Sequence, residues 1–148
     1  MRNGFYSQLG CSRTTYHLCR LRFVAAWFCP LSVRYRIPLY ALESGDKLSD
    51  FDIIGFTVPY EMCYTNILQV LDLAQIPLKA CDRGDGWDYP IVIGGGPCAY
   101  NPEPIADFFD LIYIGEGETQ YRALLDLYKD CKAKGMSRED FLAEAGKL

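Results

Sequence analysis

The chain is short of the residues on which metal and acid–base chemistry most often rest. It has a single histidine, His17, and no C-x-x-C pair. A zinc site needs several closely spaced ligands, so no metal site is expected. The seven cysteines, at 11, 19, 29, 63, 81, 98 and 131, are odd in number and irregular in spacing. Such a set is a poor disulfide framework, and a reducing cytoplasm is the expected compartment. No apolar run approaches the ~20 residues of a membrane-crossing helix; the longest is Phe23 to Leu31. A cationic surplus is missing too, because 15 basic and 19 acidic side chains leave a net charge of -4. That balance argues against a general nucleic-acid binder.

Acid is also missing locally. Residues 1–45 hold six arginines and one acid, Glu43, whereas residues 46–148 hold nine bases and eighteen acids. The expectation is an atypical, acid-free segment over 1–35, mis-framed or carrying a displaced start, followed by an α/β domain over 36–148. An organelle transit peptide is the competing account of that segment, but its tyrosines, phenylalanines and cysteines are unusual for one. What is present is the make-up of one globular domain: 148 residues, 50% hydrophobic and 14% aromatic. A chain of that size can bury a core without disulfides.

From Asp50 onward, buried strands alternate with helices. Asp52 to Val58 is a mostly apolar run suited to a strand covered on both faces. Met62 to Ala74 places Tyr64, Ile67, Leu68, Leu71 and Ala74 on one helical face, and Pro77 is expected to stop that helix at Gln75. Pro90 to Ile93 is a second short strand, running into a Gly94-Gly95-Gly96-Pro97 turn. Pro102 and Pro104 confine any helix to about Glu103–Phe109. Strand Leu111–Ile114, the loop Gly115–Glu118, a helix from about Thr119 to Lys132 ended by Gly135, and a last helix capped by Ser137 follow. Leu21 to Trp27 is a candidate edge strand. The echo of Ile37-Pro38-Leu39 in Ile76-Pro77-Leu78 predicts two equivalent entries into the sheet. The expected fold class is α/β, a Rossmann-like (flavodoxin-like) open parallel sheet, incomplete at its amino-terminal side. Ligands of such sheets sit at the carboxyl ends of the strands, so the segments 57–63, 94–101 and 115–118 are the ones to watch.

Gly94-Gly95-Gly96-Pro97-Cys98-Ala99 satisfies G-x-G-x-x-A, and Glu116 lies 20 residues beyond Gly96, as in a dinucleotide fingerprint. That motif needs a helix opening at the glycines, and Pro97, Pro102 and Pro104 oppose one. The same glycines suit either close approach of a bulky ligand to bare backbone or a tight turn with no ligand. Thr57, at the end of the first strand, has a hydroxyl that either meets such a ligand or bonds to nearby backbone. Gly115-Glu116-Gly117-Glu118 puts carboxylates at a helix start, where they favour the dipole and repel phosphates. Glu61 beside Tyr60 reads as a first-turn helix residue, and His17 has no recognisable partner. Cys98 has no base near it in sequence to activate its thiol.

Several blocks in order resemble one family: Ile37 to Ser44, Phe51 to Phe56, Tyr60-Glu61, Tyr64 to Leu68, Gly95 to Cys98, Asn101 to Pro104, Ala106 to Asp110 and Gly115 to Glu118. The match, over about residues 36–118, is to the amino-terminal, cobalamin-binding-like domain of a bacterial family of radical S-adenosylmethionine (SAM) proteins. The resemblance implies that Thr57, Gly94, Gly95 and Gly96, with Gly115, Glu116 and Gly117, line a cobalamin. It also implies a partner, a following radical SAM barrel domain whose C-x3-C-x2-C clip holds an iron–sulfur cluster that cleaves S-adenosylmethionine. Neither that clip nor the cobalt-ligating D-x-H-x-x-G occurs in this chain. The expected function is therefore a fragment or remnant of such a domain, without catalysis of its own. The alternative is a ligand-free interaction or docking module, and a dinucleotide-binding enzyme domain is the third reading.

Overall fold

The computed structural model describes residues 38–41, 44–115 and 117–148, together with the backbone but not the side chains of Glu118 and Thr119. The acid-free segment 1–35, the candidate strand Leu21–Trp27, His17 and Glu116 lie outside the described residues. Three strands, β1 (Ile53–Thr57), β2 (Ile91–Gly95) and β3 (Leu111–Ile112), form a parallel sheet in the order β1-β2-β3. Ile53 pairs with Ile91 and Thr57 with Gly95, so β1 and β2 end level with each other. Helices α1 (Tyr64–Leu73), α2 (Gly117–Ala133) and α3 (Arg138–Ala145) cover the sheet. The α/β Rossmann-like class expected from the alternating elements is the class observed.

The apolar strands are continuous because both faces are covered. Alternate residues serve opposite layers: Ile54, Phe56 and Val92 pack with α1, whereas Ile53 and Ile91 pack with Leu125, Tyr128, Cys131 and Phe141 of α2 and α3. In the second layer Trp87 meets Tyr128 edge-on at 5.2 Å between ring centroids and donates its indole N–H to the Met136 carbonyl at 3.0 Å.

Several boundaries differ from expectation. α1 ends at Leu73, with Gln75 at φ 60° and the Ile76 N–H donating to the Leu71 carbonyl at 3.0 Å. This is a Schellman turn anchored by buried Ile76, so the stop is made before Pro77 acts. Val70 joins Ile67, Leu71 and Ala74 on the buried face, while Leu68 is half-buried. β2 runs on through Gly94 and Gly95, which are strand residues; the turn begins at Gly96. β3 is only two residues long. Between β2 and β3 the prolines allow only single 3-10 turns, Pro97–Tyr100 and Ala106–Phe108. The two Pro-Leu echoes are not equivalent. Leu39 is buried and donates to the Leu73 carbonyl, whereas Leu78 is exposed and leads into the 3-10 turn Ala80–Arg83. Ser137 caps α3 as expected, accepting from the Asp140 N–H at 3.1 Å.

Candidate functional site

The carboxyl ends of β1, β2 and β3 form one rim, and the backbone there continues the ladder beyond the strands. Val58 N–H donates to the Gly95 carbonyl at 2.7 Å, Cys98 N–H to the Val58 carbonyl at 3.1 Å, and Tyr113 N–H to the Gly94 carbonyl at 2.7 Å. The three glycines have three different jobs. Gly94 is buried, and a Cβ there would stand 3.0–3.1 Å from the Phe109 ring, which itself meets Phe56 edge-on. Its bare side is therefore filled by a core aromatic. Gly95 has room for a Cβ, at 3.6 Å from the Tyr113 carbonyl. Gly96 has φ +99°, and a Cβ would lie 3.1 Å from both the N and the O of Val58. Only glycine lets this turn cross the end of β1 so closely.

Of the residues expected at a cofactor, Thr57, Gly96 and Gly115 are exposed together with half-buried Gly95 and Gly117. Gly94 faces inward, and Glu116 lies outside the described residues. Beneath the rim is a crevice with apolar walls, including Val58, Gly95, Cys98, Ile105, Phe109 and Ile112, holding about 10 Å³. That is the lower limit for one water molecule. That crevice is too small to enclose a corrinoid. Among the described residues no three His, Cys, Asp or Glu side chains gather as a metal site.

The titratable groups of the rim are not set up as nucleophiles. Burial pushes the Cys98 thiol up, the charge of Glu61 adds to this, and a hydrogen bond with Tyr64 opposes it. The Tyr64 phenol is likewise raised, first by burial and then by Cys98 and Glu61. A thiol held protonated is a poor attacking group at neutral pH. Glu61 is exposed in the 3-10 turn Glu61–Cys63, as its first-turn reading anticipates.

Sequence reasoning missed the rim's most prominent feature. Met62 is 82% exposed, Tyr100 78%, Ile114 56% and Tyr60 38%, and all four sit on segments leaving the carboxyl ends of the strands. Nothing in periodicity distinguishes them, because they lie in single 3-10 turns or just beyond strand ends, too short for a repeat. Also missed was a buried charge cluster below the sheet. Asp110 Oδ2 accepts from Arg83 Nη1 at 2.9 Å and Val92 N–H at 2.7 Å, and pairs with Arg138 Nη2 at 2.9 Å. Arg83 also donates to the Pro77, Leu78 and Phe108 carbonyls, and Arg138 to those of Tyr89 and Pro90. Burial lowers the Arg83 guanidinium, and Asp110 counteracts it. With the two guanidinium groups donating to five backbone carbonyls as well as pairing with Asp110, this cluster is a clamp between segments.

The family described as radical SAM proteins, N-terminal, matches residues 17–148. The chain belongs to this family. The match reaches beyond the blocks at 36–118 on both sides and includes α2 and α3. An uncharacterized protein of Methanocaldococcus jannaschii is 36% identical over 84 residues, covering 55% of this chain. The chain spans only 17% of that relative's length. No solved structure matches. Among the described residues of this radical SAM amino-terminal domain, no helix is long and apolar enough to cross a membrane.

Proposed function

We propose that the chain acts as a non-catalytic amino-terminal domain of a radical SAM protein, and that its strand-carboxyl rim is the face turned toward the cluster-bearing barrel domain. The observation that carries this reading is the exposure of Tyr60, Met62, Tyr100 and Ile114 on one edge of the sheet. Large apolar groups at adjoining loop tips are costly to leave in water and characterise docking surfaces. The protonated Cys98 thiol and the water-sized crevice support a role in contact rather than in chemistry. The iron–sulfur cluster and S-adenosylmethionine belong, in this reading, to the partner domain.

The test mixes the purified chain with the cluster-bearing part of a family member stripped of its own amino-terminal domain. A 1:1 complex in sedimentation, weakened at least tenfold by Tyr100→Ala with Met62→Ala, is the expected result. No complex with any such domain at micromolar concentration overturns the reading.

A second reading is cobalamin binding, favoured by the bare backbone at Gly95 and Gly96 beside the exposed Thr57. Backbone without side chains admits the close approach of a broad ring system. A corrinoid absorption band that shifts on titration with the chain, and is lost in Gly95→Leu, supports it; an unshifted spectrum removes it.

A further inference from the structure

The docking face has a charge pattern of its own. From Leu48 to Leu78, and again from Gly84 to Tyr121, there is no lysine, arginine or histidine. These two stretches carry β1, β2, β3 and every segment that leaves their carboxyl ends. Two of those segments repeat one combination: Tyr60-Glu61-Met62 after β1, and Tyr100 followed by Glu103 after β2. Glu61, Met62, Tyr100 and Glu103 are all exposed. The two segments also meet. Cys98 N–H donates to the Val58 carbonyl at 3.1 Å, and the Cys98 thiol hydrogen-bonds with Tyr64 and feels the Glu61 charge. Among the described residues the ion pairs form at Asp52, Asp110 and Glu144, and none involves Glu61 or Glu103. Both carboxylates therefore stand beside exposed apolar area with no cation of the described chain to offset them.

We propose that the rim takes an arginine-bearing, otherwise apolar face of the barrel domain, with guanidinium groups docked on Glu61 and Glu103 and one of them stacked on Tyr100. The inference rests on the docking reading of the rim and adds the chemistry of the opposing surface. A guanidinium pairs with a carboxylate through two parallel donors and lies flat on an aromatic ring, while its stem covers apolar area; the compact, strongly hydrated ammonium of lysine does neither as well. An acidic face is opposed by the same arrangement, because it would press like charges together with no cation on this side between them. A purely apolar face strips water from two carboxylates without giving them a partner. The exposed apolar side chains then supply buried area, and the charge pairs supply orientation and speed of encounter.

The preference of the rim is read first on the full chain alone. L-Argininamide and L-lysinamide are titrated to millimolar concentration against isotope-labelled protein, with backbone amide shifts as the signal. The expected result is perturbation concentrated at residues 60–62 and 98–103, about threefold larger for argininamide than for lysinamide, and lost in Glu61→Gln combined with Glu103→Gln. Shifts equal for the two probes, or spread evenly over exposed acids such as Asp107 and Glu139, overturn the proposal. The second measurement is the association rate with the cluster-bearing domain. It is expected to fall about tenfold between about 50 mM and about 500 mM salt, and about tenfold at low salt in Glu61→Lys combined with Glu103→Lys. A complex that forms at a salt-independent rate and tolerates both lysines overturns the arginine-bearing face and leaves the docking reading standing. Absence of any complex at micromolar concentration removes the docking reading, and this inference with it.

Discussion

Replacing Asp110 by asparagine is the sharpest test of how this fold is held. The Asp110 carboxylate is 2% exposed and lies between two guanidinium groups that are 0% and 3% exposed. Asparagine keeps the shape and one acceptor oxygen for the Val92 N–H, but removes the anion that offsets two buried cations. Hydrogen bonds to charged groups contribute about 1.5–3 kcal/mol each, and breaking a buried ion pair on one side costs about 3–5 kcal/mol. Arg83 and Arg138 also repel each other once the carboxylate is neutralised. The arginines retain their five backbone carbonyl acceptors, which limits the damage, so Asp110→Asn is expected to cost about 3 kcal/mol. Against a total of about 5–15 kcal/mol for a domain, that is a large share. With a urea slope near 2 kcal/mol per M, the midpoint falls by about 1.5 M. Asp107→Asn, at an exposed acid three residues earlier, is the control and should move stability by less than about 0.5 kcal/mol. An Asp110→Asn midpoint matching that control would refute the clamp as a stabilising device.

The three glycines of the rim should separate cleanly in the same assay. Gly96→Ala is expected to cost about 2 kcal/mol from its positive φ and the 3.1 Å approach to Val58, and Gly94→Ala about 1–3 kcal/mol by driving Phe109 off its site. Gly95→Ala should be neutral or slightly stabilising; equal losses at all three would contradict the geometry. The Tyr128 phenol, pushed up to about 12 chiefly by burial, is more acidic in the unfolded chain, so its protonated form favours the folded state. That contribution is whole below pH 10 and is lost as pH rises from 10 through 12. Hydrogen bonds to Asp52 and Tyr128 outweigh burial to raise the Lys132 ammonium, which acts in the same alkaline window. Urea midpoints at pH 9 and pH 11.5 should converge in Tyr128→Phe relative to wild type; an unchanged alkaline drop in that variant would rule out the phenol as its source.

Much of the sheet was legible because its strands are short, apolar runs bounded by glycine and proline, and because the prolines after Gly96 exclude a long helix. The α3 cap was legible for a local reason, since Ser137 and Asp140 bond within one turn. What stayed hidden depends on distant partners. Gly94 looks in sequence like its neighbours, yet Phe109 decides its role from fifteen residues away. Nothing local in the sequence marks Arg83 and Arg138 as buried; Asp110 and the carbonyls of residues 77, 78, 89, 90 and 108, most of them distant along the chain, make them so. The exposed rim escaped notice because large apolar side chains in single turns and at strand ends have no periodicity to betray them.

The clamp also imposes an order of assembly. Arg83 and Asp110 are already present when the strands have been made, but the carbonyls of Tyr89 and Pro90 wait for donors from Arg138, 49 and 48 residues further along the chain. On a ribosome extending the chain from its amino end, the entrance to β2 therefore stays unfinished until α3 has emerged. Closing of the sheet and arrival of α3 become one event, rather than a sheet that forms first and a helix that is added to it.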